Sequence, residues 1–312
     1  MAKPRGAARR LDSQRVSGTR DLLPEEMARF RRWERLFLEA CQARGYREIR
    51  TPTLEHLYFF TAAQRLSLER LRSLYSFPDM DGWSGERVVL RPDGTIPIAR
   101  LYAENYPGQT MRLCYVENLF SYQDSAEHRR ESWQCGAELI GASSPEADGE
   151  LLELASQVLA AGGVQTELHI FHAGLTPAVL GALGGPASRR ARAAQDVQRA
   201  LERLGRGRGG SAAFLKNLRA TLAPGAPAML AALDNLIAVA ALLDRRGLSY
   251  TMDPIFFPEF EYYTGAMFAF FRDGRKVGGG GRYDDLIPKI SGHQTPASGF
   301  ALYLDTLLER ES

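Results

Sequence analysis

Residues 261–286 read EYYTGAMFAFFRDGRKVGGGGRYDDL, and this stretch decides how the rest of the sequence is interpreted. Two strand-like runs flank Asp273-Gly274, a dipeptide that suits the positive φ angles of a tight hairpin turn. The second run contains Gly278 to Gly281, and four glycines weaken a strand unless a ligand or another backbone approaches closely. The residues around them are aromatic or basic: Tyr262, Tyr263, Arg282 and Tyr283. We therefore predict a pocket wall, with a glycine-rich hairpin bearing surface tyrosines as the alternative.

Composition excludes several classes of protein. The 312 residues carry 24% charged side chains and a formal net charge of +2, a balance that does not call for a nucleic-acid or membrane partner. No stretch approaches the roughly 18–20 apolar residues of a membrane span. The three cysteines, Cys41, Cys114 and Cys135, are widely spaced, which favours buried thiols in a reduced, cytoplasmic protein. The five histidines form no metal-ligand pattern, so we expect no metal and no cofactor.

The segments differ in composition. Residues 1–17 are rich in arginine and are expected to form a flexible, solvated arm. Residues 18–312 alternate strand-like and helical patterns, which predicts one α+β core built on an antiparallel sheet flanked by helices. Within it, about residues 177–247 turn to alanine, leucine and arginine at helical spacing, as in a helical insertion. A terminal helix is predicted over 302–308.

Two strand-like segments, 111–122 and 132–141, place polar side chains on one face of the predicted sheet. Because strand residues alternate between faces, Gln134, Gly136 and Glu138 lie opposite Cys135 and Ala137. The glycine between two polar residues predicts a recessed polar floor. A buried glutamate costs free energy unless it is paired, which implies a ligand ammonium or an arginine. An exposed sheet face is the alternative.

A strand–turn–helix pattern places two further polar residues together. The apolar run 87–90 ends at Arg91-Pro92-Asp93-Gly94-Thr95, and a helical pattern starts at Ile96. Asp93 and Thr95 therefore lie where a strand end meets a helix start. Binding a ligand and merely capping the helix are equally compatible with these two residues.

Taken in order, these motifs resemble the catalytic core of histidyl-tRNA synthetase, a class II synthetase domain. The resemblance covers roughly residues 18–308. GTRDLLP at 18–24 resembles the family's opening signature, and LRPDGT at 90–95 its loop for the substrate amine. YYTG at 262–265 and GGRYD at 280–284 resemble its two histidine-specific motifs. The resemblance implies a histidine site formed by eight residues: Asp93, Thr95, Gln134, Glu138, Tyr262, Tyr263, Gly280 and Tyr283.

Three arginines of the synthetase pattern are absent. Their positions correspond to Ser121, Pro258 and Thr306 in this chain. Forming an adenylate places negative charge on a phosphate, and losing one fixed donor typically costs about 10²–10³ in rate. The sequence also ends where the synthetase's anticodon-binding domain would begin, so that domain is not expected. A pocket for histidine without the cations for ATP predicts binding without chemistry.

This combination resembles the regulatory subunit of the short-form ATP phosphoribosyltransferase. The resemblance implies a non-catalytic subunit, dimeric within a hetero-oligomer, which partners the short catalytic subunit in the first step of histidine biosynthesis. It also implies that histidine is the inhibitory effector. Two rivals are an adenylating enzyme that uses other cations, such as Arg100, Arg129 or Arg282, and an RNA-binding module that uses residues 1–17 and Arg203 to Arg208.

Overall fold

The computed structural model describes residues 15–63, 68–80, 85–122, 129–175, 215–216, 219, 227–252 and 262–309. Most of the basic arm, much of the predicted insertion and Pro258 lie outside these residues. Within the described part of the predicted insertion, one long helix covers Pro227–Arg245. None of the helices in the described ranges is long and apolar enough to cross a membrane.

Eleven strands are present in the described residues. They are β1 (Arg47–Glu48), β2 (Leu54–His56), β3 (Ser76–Pro78), β4 (Arg87–Leu90), β5 (Met111–Phe120), β6 (Glu131–Ile140), β7 (Glu167–His172), β8 (Thr251–Met252), β9 (Ala266–Arg272), β10 (Arg275–Arg282) and β11 (Ala297–Tyr303). Eight of them form one sheet in the spatial order β1-β5-β6-β11-β10-β9-β7-β8. The six inner strands pair antiparallel, whereas β1 and β8 pair parallel to their neighbours at the two edges. The predicted antiparallel sheet is confirmed.

Helices cover both faces of this sheet. They are α1 (Pro24–Ala43), α2 (Leu57–Ala63), α3 (Leu68–Arg72), α4 (Thr95–Asn105), α5 (Pro145–Ala161), α6 (Pro227–Arg245), α7 (Leu286–Ser291) and α8 (Leu304–Leu308). Apolar residues of α1, α5 and α6 form one large core with one face of the sheet. Residues of α2, α4 and α7 form a second core on the opposite face, which includes Tyr115, Tyr262 and Tyr283. Fold class α+β is therefore correct.

The hairpin of residues 266–282 forms as predicted. Arg272 pairs with Arg275 across the turn, and both turn residues have positive φ, 50° at Asp273 and 75° at Gly274. A type I′ turn requires this geometry at both central residues, and its twist matches that of the two strands. The glycine run 278–281 is regular strand and pairs with its neighbours on both sides.

The predicted terminal helix over 302–308 is only partly correct. Residues 297–303 are strand β11, and the helix begins at Leu304. β11 lies in the middle of the sheet between β6 and β10, and most of its residues are buried. A strand that is buried on both faces lacks the alternation of apolar and polar residues by which a strand is recognised. This strand lies between the glycines of β10 and the polar residues of β6 and pairs with both strands.

Candidate functional site

A cavity of about 280 Å³ lies over the sheet, beside the start of α4. This volume is just below the range for pockets that bind drug-sized ligands, about 300–1,000 Å³, and suits a molecule the size of an amino acid. Its lining is aromatic and polar: Asp93, Thr95, Leu119, Arg129, Ser132, Trp133, Gln134, Tyr262, Tyr263, Gly279, Tyr283, Gly299, Phe300, Ala301, Tyr303, Asp305 and Thr306. Six of the eight predicted site residues are in this set, and Glu138 and Gly280 are not.

Strand register explains why these side chains converge. Gln134 pairs with Tyr303, and Glu138 pairs with Gly299, so alternate residues of β6 and β11 face the cavity. Gln134 and Glu138 are 8% and 1% exposed, which excludes the alternative of an exposed sheet face. Gly280 belongs to the other set of alternating positions, since it pairs with Phe300 and with Phe268 of the large core. Gly279, one residue earlier, lines the cavity instead.

The sequence suggested an open recess at Gly136, and the structure shows none there. The ring of Tyr115 on β5 covers it, and a Cβ atom at residue 136 would lie 2.4 Å from that ring. Tyr115 is fully buried, and Gln134 donates a hydrogen bond from Nε2 to its hydroxyl at 3.0 Å. The sequence analysis missed Tyr115. The register would have identified it, because residues 115 and 136 pair directly across β5 and β6.

Asp93 caps the start of α4 and also faces the cavity. Its Oδ1 accepts a hydrogen bond from the backbone N–H of Ile96 at 2.8 Å, which satisfies one of the free donors in the first turn of α4. Its Oδ2 accepts a hydrogen bond from the Tyr262 hydroxyl at 3.2 Å, and Asp93 lines the cavity while only 5% exposed. Burial raises the pKa of this carboxyl, while its hydrogen bonds act in the opposite direction.

Glu138 forms a second buried acidic group beneath the cavity lining. Thr95 Oγ1 donates to Glu138 Oε1 at 2.9 Å, and the Tyr283 hydroxyl donates to Oε2 at 2.5 Å. The pKa of Glu138 is raised from its ordinary 4.5 to about 8, chiefly by burial and in smaller part by the charge of Asp93, while the two hydroxyl donors act in the opposite direction. Of the two partners that the sequence allowed for Glu138, a ligand ammonium or an arginine, no arginine is among its contacts in the described residues, where Thr95 and Tyr283 are its hydrogen-bond donors.

The cavity lining also includes Arg129, Asp305 and Thr306. Asp305 accepts hydrogen bonds from Arg20 Nη2 at 2.6 Å and from the backbone N–H of Trp133 at 2.5 Å. Arg129 is engaged with two carboxylates, at 3.4 Å from Asp305 and 2.5 Å from Glu309. Ser121 is not among the residues that line the cavity.

Arg282 is not among the residues that line the cavity, although the sequence analysis placed it in the pocket wall beside the glycine run. It forms a buried ion pair with Asp148 at 2.7 Å and contacts Asp284 at 2.9 Å. Arg100 is similarly engaged with Glu55 at 2.7 Å and Glu104 at 2.7 Å. Of the three arginines considered as replacement cations, Arg129 alone is among the residues lining the cavity.

These groups favour a small cationic ligand with a flat or apolar portion. The buried carboxyl of Asp93 lines the cavity, and that of Glu138 lies beneath the lining. The ring centroid of Tyr262 lies 4.9 Å from that of Tyr263 and 5.9 Å from that of Tyr283. Such rings offer both an apolar surface and a face that attracts cations. No cluster of His, Cys, Asp and Glu suited to a metal ion occurs in the part of the chain that the structure describes.

Comparison with known proteins gives a consistent result. A family model described as histidyl-tRNA synthetase matches residues 18–307. A protein of Dehalococcoides mccartyi named ATP phosphoribosyltransferase regulatory subunit is 45% identical over 314 residues, which cover 94% of this chain and 76% of the relative. A histidine–tRNA ligase of Methanocaldococcus jannaschii is 32% identical over 323 residues, which cover 95% and 75%.

Solved structures show the same fold. A Bacillus halodurans protein described as an ATP phosphoribosyltransferase regulatory subunit/histidyl-tRNA synthetase matches with a TM-score of 0.78 at 27% identity, covering 95% of this chain and 82% of the other. A histidine–tRNA ligase subunit of Alicyclobacillus acidocaldarius matches with a TM-score of 0.74 at 28% identity, covering 95% and 96%. The predicted class II synthetase-like fold is confirmed, and the chain belongs to the histidyl-tRNA synthetase family, which includes relatives named as regulatory subunits of ATP phosphoribosyltransferase.

Proposed function

We propose that this chain is a non-catalytic regulatory subunit of ATP phosphoribosyltransferase, the first enzyme of histidine biosynthesis, and that it binds histidine. One observation carries the proposal. The cavity has buried acidic and aromatic groups suited to a cationic amino acid, whereas Thr306, which also lines it, stands where the synthetase resemblance expects an arginine, and Asp305 is paired with Arg20. The higher identity to the named regulatory subunit than to the ligase supports the same conclusion, 45% against 32%.

Histidine would bind with its ammonium group at Asp93 and Thr95. Both line the cavity, and Thr95 links this position to the second carboxyl at Glu138 through a 2.9 Å hydrogen bond. An ammonium group there would offset the cost of burying negative charge. Glu138 would then act from beneath the lining, through Thr95 and Tyr283, rather than from the cavity wall.

The imidazole would lie among the tyrosines and Gln134. Tyr262 and Tyr263 contact each other at 4.9 Å between ring centroids, and Tyr283 meets Tyr262 edge to face at 5.9 Å. The Nε2 of Gln134 is already committed to Tyr115, which leaves its carbonyl oxygen as the group available to accept from an imidazole N–H. Gly279, rather than Gly280, would provide the bare backbone beside the ligand.

The proposed lack of catalysis follows from the missing donors. Ser121 and Thr306 are uncharged, and Arg20 is held by Asp305 at 2.6 Å and by Glu26 at 3.1 Å. Negative charge developing on a phosphate needs donors that are fixed and free to act on it. Among the described residues that line the cavity, Arg129 is then a single cation where the synthetase pattern has three arginines.

The proposed partner is the short catalytic subunit of ATP phosphoribosyltransferase, in a cytoplasmic hetero-oligomer that contains a dimer of this chain. Histidine would inhibit the complex by preferring one of its conformational states, since a ligand that binds both states equally shifts nothing. The three cysteines are buried and free, which is compatible with a reducing compartment.

Reconstitution tests the proposal. The short catalytic subunit is assayed for phosphoribosyl transfer with and without this chain, and the chain is expected to be required for full activity. Equal activity in both assays contradicts the regulatory role.

Adenylation of histidine is the competing function, favoured by the cationic Arg129 at the cavity and by the 32% identity to a ligase. Histidine-dependent exchange between ATP and pyrophosphate distinguishes the two. No exchange above background is expected from this chain, and measurable exchange establishes the synthetase activity instead.

A further inference from the structure

Histidine brings a carboxylate as well as an ammonium group into the cavity. Burying a carboxylate without a partner costs several kcal/mol, and the charge-assisted bond with an arginine removes most of that cost. Two acidic groups already lie at or beneath the lining near the start of α4, so the ligand carboxylate must be directed away from them. Among the described residues that line the cavity, Arg129 is the one with a cationic side chain.

The present bonds of Arg129 are replaceable. Asp305 receives its closest contacts from Arg20, at 2.6 Å, and from a backbone N–H, at 2.5 Å, whereas Arg129 lies at 3.4 Å. Glu309 is also contacted by Arg275 at 3.0 Å. Each carboxylate therefore keeps a partner when the Arg129 guanidinium turns towards the cavity. Arg129 is also 30% exposed in its side chain, so the movement does not uncover a buried charge.

Other arginines near the fold's centre lack this freedom. Arg91 pairs with Glu117 at 3.1 Å, and Arg282 pairs with Asp148 at 2.7 Å, in both cases with side chains no more than 6% exposed. Removing one partner of a buried ion pair leaves an uncompensated buried charge, so these arginines stay in place. Arg129 precedes β6 by two residues, and β6 carries Ser132 and Gln134 into the cavity.

We propose that Arg129 binds the ligand carboxylate and thereby makes the cavity selective for a free α-amino acid over analogues without that carboxylate. This inference rests on the proposed binding of histidine and adds the group that recognises the far end of the ligand. Binding withdraws Arg129 from Glu309, at the end of α8, which gives the occupied cavity a local structural signature.

Titration calorimetry with histidine and with histidinol tests the inference. Histidinol keeps the imidazole and the amine but carries a hydroxymethyl group in place of the carboxylate. The unmodified chain is expected to bind histidine about 10- to 100-fold more tightly than histidinol, the range for one charge-assisted bond. In Arg129→Gln, histidine affinity falls by that factor while histidinol affinity changes less than about threefold.

Two further variants keep the result interpretable. Arg275→Gln removes an arginine that shares Glu309 with Arg129 but does not line the cavity, and it is expected to retain the preference for histidine. Arg129→Lys keeps the charge without the planar fork and is expected to show an intermediate preference. An unchanged preference for histidine in both Arg129 variants overturns this inference alone. Absence of histidine binding by the unmodified chain contradicts the proposed function, and this inference with it.

Discussion

Gly299 and Glu138 face each other across β11 and β6, and a Cβ atom on residue 299 would lie 1.5 Å from Glu138 Oε2. No heavy atoms approach so closely without a bond, so the buried position of Glu138 depends on glycine at 299. The two residues also connect the site to the strand that the sequence analysis missed. Gly299 lines the cavity, and Glu138 lies beneath it.

Substituting Gly299→Ala is therefore expected to displace Glu138 and weaken the fold. Overpacking of this kind typically lowers the free energy of unfolding by about 1–3 kcal/mol. Urea denaturation of the single variant and of the pair with Glu138→Ala measures the interaction. The cost of Gly299→Ala is expected to be smaller when residue 138 is alanine, and an equal cost in both backgrounds contradicts the contact.

Glu138 also predicts how stability depends on pH. Burial raises its pKa from 4.5 to about 8. Between these two values the folded state holds a proton that the unfolded chain has released, so the free energy of unfolding falls as pH rises. Asp93, whose pKa is also raised by burial, contributes with the same sign. Tyr283 and Tyr115 face Glu138 with pKa values raised by burial far above this range.

Glu138→Gln isolates this contribution, because Asp93 and the tyrosines remain. Denaturation at about pH 5.5 and about pH 8.5 is expected to show a smaller loss of stability in the variant than in the unmodified chain. Identical losses in the two proteins would show that Glu138 is not a protonated group in the folded state near neutral pH.

Asp93→Asn is expected to reduce histidine affinity by about 10- to 100-fold, since a charge-assisted bond to the ammonium becomes a neutral one. The asparagine side-chain oxygen still accepts from the Ile96 N–H, so the start of α4 is preserved. Titration calorimetry measures the affinity. Asp273→Asn, at the exposed hairpin turn, removes the same charge elsewhere and is expected to leave histidine binding unchanged.

Arg282→Gln is expected to affect stability rather than ligand recognition. The substitution leaves Asp148 buried without its partner, and the free energy of unfolding is expected to fall by about 3–5 kcal/mol. Adding Asp148→Asn removes the unpaired charge and should restore part of this loss. A thermal unfolding series measures both effects, and a fully stable Arg282→Gln variant argues against the structural role assigned to the pair.

The sequence predicted those features of the site that depend on local patterns. Three such features are present in the structure: the Asp273-Gly274 turn, the position of Gln134 and Glu138 on one face of a strand, and the strand–turn–helix at Asp93. Each follows from a few adjacent residues. The grouping of Asp93, Tyr262 and Tyr283 came from family resemblance, because residues so far apart in sequence share no local periodicity. Their convergence on one cavity agrees with that resemblance.

The errors arose where partners come from distant parts of the chain. Strand β11 was not predicted, and its last two residues were assigned to the terminal helix, because burial on both faces removes its alternation. Because β11 was not recognised, the sequence could not predict that Gly280 faces away from the cavity. For the same reason it could not predict the close approach of Gly299 to Glu138. Arg282 was placed in the pocket because its partner, Asp148, is 134 residues away. The roles of Tyr115 and Arg129 likewise depend on pairing that a single sequence does not encode locally.

The most direct measurement is the inhibition of the reconstituted complex by histidine, with the unmodified chain and with Asp93→Asn. Phosphoribosyl transfer is followed while histidine is titrated. The account predicts that histidine inhibits the complex containing the unmodified chain and that Asp93→Asn requires about 10- to 100-fold more histidine for the same inhibition. Superimposable inhibition curves from the two complexes would contradict the claim that histidine acts through this cavity.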